Sequence, residues 1–266
     1  MLTCRKAEAG DVPRLEEIWL GCFEEKTEAV KLFFERNKDE LHSYAAEENG
    51  TIIAAVHLID CMLDGSKSHY LCGAATLPRF RGRGVMSALI AFALDDAKKR
   101  GDCFSVLLPA NDGLYRFYAG LGYTEGCCVR TLTLDCGDSD AEAFGKPDTA
   151  ALQKACLYES FLLWSSDHIQ FARDYYGCYG TKVLESSEVF ALYEQDGDFA
   201  EVIYAVFTRL DALKALLHRK GVRRFTLPGG GGNPLFEQAK PQKYGMIRPL
   251  DGAEAPQGVY IGLTLS

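Results

Sequence analysis

The run Arg79-Phe80-Arg81-Gly82-Arg83-Gly84 concentrates more potential chemistry than any other stretch of the chain, with three cations interleaved with two glycines in an R-x-x-G-x-G spacing. Glycines let a backbone approach a ligand closely, and guanidinium groups donate charge-assisted hydrogen bonds to phosphate oxygens. The run follows an apolar, small-residue strand pattern from Tyr70 to Leu77 that closes at Pro78. It precedes Met86, Leu89, Ile90, Ala93, Leu94 and Ala97, which recur at helical spacing. A helix start offers unpaired N–H groups and the positive end of a dipole, so this loop suits a pyrophosphate. The same residues also fit a basic, solvated turn. A Walker loop is excluded because no Gly-Lys-Ser/Thr follows, and a dinucleotide fingerprint because no acidic residue ends the next strand.

A second candidate is Tyr118, seven residues after Asn111 (118 − 111 = 7). Its phenol, with an ordinary pKa of about 10, is protonated at neutral pH and can serve as a proton donor. It also shares a helical stretch with Leu114, Phe117 and Leu121, where a core aromatic would sit. The ten cysteines contain no C-x-x-C pair, so no metal site is expected, and Cys72 and Cys103 read as packing residues in apolar runs.

The elements that must position these groups follow from periodicity. Leu2 to Ala7 reads as a strand, and Asp11-Val12-Pro13 opens a helix carrying Leu15, Trp19 and Cys22. Ser43 to Glu47 and Thr51 to Asp60 form a hairpin around Asn49-Gly50. The motif helix ends in Lys98-Lys99-Arg100-Gly101, and a strand from Cys103 to Leu108 follows. Val129 to Leu134 is expected to close a first domain of residues 1–135, with a Gly-, Ser- and Asp-rich linker at 136–150 and a second domain at 151–266. The second half echoes the first: a helix over Ala212 to Lys220 precedes a strand ending Leu227-Pro228, as the earlier strand ends Leu108-Pro109.

Composition bounds the function class. At 266 residues, two compact units are expected. A net charge of −8 speaks against nucleic acid as the main partner. No run reaches the roughly 20 apolar residues of a membrane span, and the opening lacks a secretory pattern, so the cytoplasm is the expected location.

The order of strand, helix, hairpin, Pro-ended strand, R-x-x-G-x-G, helix, strand and Tyr-bearing helix resembles the GNAT superfamily of N-acyltransferases. The specific points are Gly73-Ala74-Ala75-Thr76-Leu77-Pro78 before Arg81-Gly82-Arg83-Gly84, and Asn111 through Phe117-Tyr118-Ala119-Gly120-Leu121-Gly122-Tyr123. The tandem layout is similar to the enhanced-intracellular-survival branch, without its third domain. The resemblance implies an α/β (α+β) fold of two tandem GNAT-like units, each a mixed, mostly antiparallel sheet flanked by helices, the second degenerate. It further implies acetyl-CoA as donor and a small-molecule or peptide amine as acceptor, joined by direct attack in a ternary complex. Ala74, Ala75 and Thr76 would offer backbone groups to the pantetheine arm, and Arg81, Gly82, Arg83, Gly84, Val85 and Met86 would wrap the pyrophosphate. Asn111 would anchor the arm from the other side, and Tyr118 would protonate the departing thiolate. His57, Asp60, His69 and Glu25 stand as candidate bases, with none assigned.

The second unit carries Thr208-Arg209-Leu210-Asp211 where the motif would be needed, so it is expected not to bind CoA and to wall one side of the acceptor cleft. Its Gly229-Gly230-Gly231-Gly232 run reads as a flexible loop, because Pro234 rather than Lys-Ser/Thr follows. Two rival functions remain at this point: a non-catalytic acyl-CoA sensor, and a Fem-type aminoacyl transferase, against which the acidic charge and intact motif speak.

Overall fold

A computed structural model describes residues 1–37, 40–137, 144–156, 160–252 and 254–265. Residues 138–143 of the expected linker and 157–159 of the expected second domain lie outside that set. No helix among the described residues is long and apolar enough to cross a membrane.

The chain divides into two compact units, but not where the composition shifts. Unit 1 holds Met1–Glu125, Gly245–Ala255 and Leu265–Ser266, and unit 2 holds Gly126–Tyr244 and Pro256–Thr264. Unit 1 runs β1 (Leu2–Lys6), α1 (Val12–Cys22), α2 (Thr27–Arg36), β2 (Leu41–Glu48), β3 (Thr51–Leu63), β4 (Ser66–Thr76), α3 (Val85–Lys99), β5 (Phe104–Leu107) and α4 (Asp112–Ala119). Unit 2 contains β6 (Cys128–Asp135), α5 (Thr149–Cys156), β7 (Leu162–Leu163), α6 (Ser166–Gly177), β8 (Lys182–Ser186), β9 (Val189–Asp196), β10 (Phe199–Phe207), α7 (Leu210–Arg219), β11 (Arg224–Gly229) and β12 (Gln242–Lys243). The chain then returns to unit 1 with β13 (Met246–Pro249).

The sheet of unit 1 follows the path β1-β2-β3-β4-β5-β13, antiparallel except for β4 with β5. The hairpin between β2 and β3 turns at Asn49 and Gly50, both at positive φ (54° and 77°), as a two-residue Asn-Gly turn requires. A second hairpin, between β3 and β4, uses Asp64-Gly65 in the same way and starts β4 four residues earlier than its apolar run suggests (70 − 66 = 4). From Ile52 to Ile59 every residue of β3 is buried, because the sheet is covered on both faces. Leu89, Ile90, Ala93 and Leu94 of α3 enter one core with Tyr44, Val56, Leu71 and Tyr118. Trp19 of α1 and Phe33 and Phe34 of α2 gather around His57.

The expected closing strand of the first unit is placed otherwise. β6 pairs antiparallel with β11 inside unit 2, from Arg224↔Asp135 to Gly229↔Arg130. The place beside β5 is taken by β13, with Met246 opposite Leu107 and Pro249 opposite Phe104. The divisions at 135 and 150 therefore give way to a boundary at Glu125–Gly126 with a return at Gly245. Alternating apolar residues announce a strand, but they do not say which sheet it joins.

Unit 2 has the path β12-β6-β11-β10-β9-β8, and again one parallel pair, β10 with β11, sits among antiparallel neighbours. Its core joins α7, through Ala212, Leu213 and Leu217, to Val189, Ala191, Val202 and Phe225.

Candidate acyl-donor site

The parallel strands β4 and β5 pair only at Ser68↔Phe104, His69↔Ser105 and Tyr70↔Val106. Beyond Tyr70 they part, and the edge of β4 from Leu71 to Thr76 that faces β5 is left without a ladder. A bulge lies in the freed stretch: Gly73 and Ala74 oppose Val56, between the pairs His57↔Cys72 and Ala55↔Ala75. Gly73 is required there twice over, by its φ of +58° and because a Cβ would come within 2.5 Å of the Trp19 ring.

Eight residues (85 − 76 − 1 = 8) then lead from β4 to α3. Gly82 and Gly84 both adopt left-handed backbone, at φ +73° and +75°, and a Cβ built on either meets nothing within 4 Å. The space above them is therefore open, and a side chain would intrude only on a ligand. Gly84 is the N-cap of α3 and has no side chain to cap it, whereas Asn111 caps α4 and Ser165 caps α6 through their side chains. The first N–H groups of α3 therefore lack the internal partner that a capping residue supplies.

A hollow of about 320 Å³ occupies this corner, lined by Thr76, Phe80, Arg81, Gly82, Gly84, Val85, Met86, Ser87 and Phe117. It gathers six of the residues expected to hold a cofactor. The Arg81 Nε donates to the Thr76 carbonyl at 2.8 Å, which ties the loop to the end of β4. The Thr76 hydroxyl is sealed from solvent and has no hydrogen-bond partner among the described residues.

Arg83, Ala74, Ala75, Asn111 and Tyr118 do not line the hollow. Arg83 turns instead to Glu48, the last residue of β2, and its guanidinium lies 5.5 Å from the centre of the Phe80 ring. The Asn111 side chain accepts from the Leu114 N–H at 3.1 Å, so its NH₂ group is what it can still offer. Tyr118 is buried between Phe117 and Tyr123, with ring centroids at 5.1 and 5.7 Å. Burial, and then the nearby Cys72 thiol of β4, push its pKa up to about 12, which holds the phenol protonated at neutral pH.

The candidate bases His57, His69 and Asp60 each have partners of their own. His57 is driven down to about 3 by burial, stacks on Trp19 at 5.3 Å and shares a hydrogen bond of 2.8 Å with the Ser43 hydroxyl. The Nδ1 of His69 donates to the Asp102 carboxylate at 2.8 Å, and Asp60 meets the His42 Nε2 at 3.1 Å. Glu25 is half-buried between α1 and α2. Sequence reasoning missed Phe80, Ser87 and Phe117 as lining residues, although all three stand beside or within the quoted motifs. It missed Glu48 because only the hairpin fold brings that residue to the loop.

A parting parallel strand pair, a bulge in its longer strand and an uncapped helix behind a Gly-Arg loop together make a corner suited to an anionic ligand. Residues 3–126 match the family described as the acetyltransferase (GNAT) domain. That match spans nearly all of the N-terminal unit and supports an acyltransferase. No curated protein sequence matches closely enough to count as a relative. Among solved structures, a probable N-acyltransferase from Enterococcus faecalis is similar at 17% identity and a TM-score of 0.69, over 94% of this chain and 73% of that one. A GCN5-related N-acetyltransferase from Anabaena variabilis gives 15%, 0.70, 94% and 73%, and Eis1 from Mycobacterium abscessus gives 15%, 0.64, 94% and 74%. At such identities the shared property is the fold, here over both units.

Proposed function

We propose that this protein is an N-acetyltransferase that moves an acetyl group from acetyl-CoA to the primary amine of a small molecule or peptide. The observation that carries this reading is the open corner where β4 leaves β5 beside the uncapped start of α3. There, backbone N–H groups, left-handed glycines and Arg81 suit a pyrophosphate, and the free edge of β4 suits the amide-bearing arm. Free thiols at all ten cysteines suit a reducing cytoplasm.

In the proposed reaction the neutral amine attacks the thioester carbonyl carbon within a ternary complex. A C–N bond forms while charge gathers on the carbonyl oxygen, for which N–H groups of the bulged β4 are the available donors. Collapse breaks the C–S bond, and the departing thiolate takes the Tyr118 proton. The proton that the amine loses goes to solvent, and Tyr118 is reprotonated from there. A phenol held near 12 stays protonated throughout the neutral range and so carries the proton that the thiolate takes.

The test is Tyr118→Phe, with thiol release measured over a panel of amines. The ring packing is kept and only the proton donor is removed, so turnover should fall by about 10²-fold while acetyl-CoA affinity stays within about twofold. Near-normal turnover in the folded variant would take Tyr118 out of the mechanism.

A further inference from the structure

From Phe80 to Ser87 every residue lines the hollow except one, Arg83. Its neighbours Gly82 and Gly84 both do, so the Arg83 backbone stands on the rim while its side chain points elsewhere. Both terminal nitrogens meet the two Glu48 carboxylate oxygens, Nη1 at 3.4 Å and Nη2 in a shorter contact. Hydrogen bonding to Arg83 lowers the Glu48 pKa, so the carboxylate is ionised and neutralises that arginine at neutral pH. Glu48 is fixed in place as the last residue of β2, directly before the tight Asn49-Gly50 turn. The other two arginines of the loop are differently placed: Arg81 is tied through its Nε to a carbonyl, and Arg79 lies over the Phe80 ring at 4.7 Å. One fixed acid thus withdraws one of three cations from a site shaped for an anion.

We propose that Glu48 is an affinity-limiting residue for the acyl-donor site. By holding Arg83 off the hollow it weakens the grip on the phosphates of CoA and so speeds departure of the CoA product. The inference rests on the reading that this hollow takes acyl-CoA. Its physical basis is that a cation already paired with a carboxylate presents little net field to a second anion, and that release of product often limits turnover. Freed from Glu48, the long Arg83 side chain can swing from the rim toward the phosphates that Gly82 and Gly84 face.

The experiment is calorimetry of CoA and acetyl-CoA binding to the wild-type chain, Glu48→Gln and the double variant Glu48→Gln/Arg83→Gln. Glu48→Gln should bind CoA about three- to tenfold more tightly, with the dissociation rate reduced in proportion. The gain should shrink as salt is raised from about 0.05 to about 0.5 M, where the Debye length is only a few ångströms. It should vanish in the double variant, because the gain runs through Arg83. A merely structural tie predicts the opposite sign, since loosening the loop would weaken binding. Unchanged or weaker CoA binding by a folded Glu48→Gln protein overturns the proposal. A wild-type chain that binds no CoA at all overturns the reading of the hollow itself, a distinct outcome.

Discussion

Both units contain the same parting of strands, and they use it in opposite ways. In unit 2, β10 and β11 pair in parallel only at Phe199↔Arg224, Ala200↔Phe225 and Glu201↔Thr226, and β10 carries an extra residue, Ile203, on the side of β9. This repeats the short parallel pairing and bulge of β4. The cleft beyond, however, is filled. Phe236 is buried against Gly229, where a Cβ would lie 2.2 Å from its ring, and Tyr260 stands over Gly230. The space left among them is about 20 Å³, against about 320 Å³ at the corner of unit 1. The connection from β10 to α7 has two residues (210 − 207 − 1 = 2) instead of eight, and its Arg209 is paired with Asp211 and Glu188. The comparison separates scaffold from site: the parting strands belong to the fold, while a long Gly-Arg loop and an unfilled cleft set apart the corner of unit 1 that we propose as the donor site.

The comparison breaks most directly at Gly82. Gly82→Asp adds a side chain and a negative charge where the proposed site would hold phosphate, so acetyl-CoA binding should weaken by more than about 10²-fold. Calorimetry on the folded variant decides; undiminished affinity would show that the two clefts differ in something other than this loop. Phe236→Ala sharpens the contrast from the other side. Emptying the plug should cost unit 2 about 3–5 kcal/mol in denaturant unfolding. The acetyl-CoA stoichiometry should remain one, because the short, neutralised Thr208-Arg209 connection still offers no phosphate loop. A second bound equivalent would mean that the plug alone closes the site.

The smallest expected effect asks whether the units answer acid alike. Each buries a histidine stacked on a tryptophan, His57 on Trp19 and His168 on Trp164, and burial lowers both to about 3 from 6.5. A histidine depressed in the folded state stabilises the fold above the unfolded pKa and loses that contribution as pH falls toward the folded one. Each should therefore cost about 2 kcal/mol on going from pH 7 to 5. His69, also lowered chiefly by burial, adds the same sign to unit 1 alone. Thermal melts from pH 7 to 5 should show unit 1 losing more; equal losses would remove His69 from the balance.

Much of unit 1 was legible because its local rules agree with its fold. Asn49-Gly50 can only turn tightly, the apolar face of α3 has helical period, and Gly82 and Gly84 sit where positive φ is needed. The rest depends on partners far along the chain. Nothing local in Val129 to Leu134 says that it will join β11 rather than β5. The Gly229–Gly232 run was read as loop chemistry, yet Gly229 and Gly230 are glycine because Phe236 and Tyr260 need the room. The engagement of Arg83 by Glu48 spans 35 residues and follows from the hairpin, which periodicity does reveal, together with a register, which it does not.

The exchange of β6 and β13 also sets a timetable for synthesis. Unit 1 exposes the outer edge of β5 until β13 exists, and Met246 follows its ladder partner Leu107 by 139 residues (246 − 107 = 139). At roughly 5–20 residues per second, the ribosome needs about 7–28 s to deliver it. During that interval the nascent chain carries an unpaired strand edge, the feature most apt to recruit a neighbouring chain. Polysomes, which hold many copies at the same stage, would present that edge to one another, so for this protein the burden on chaperones should track the crowding of ribosomes on its message more than the stability of the finished fold.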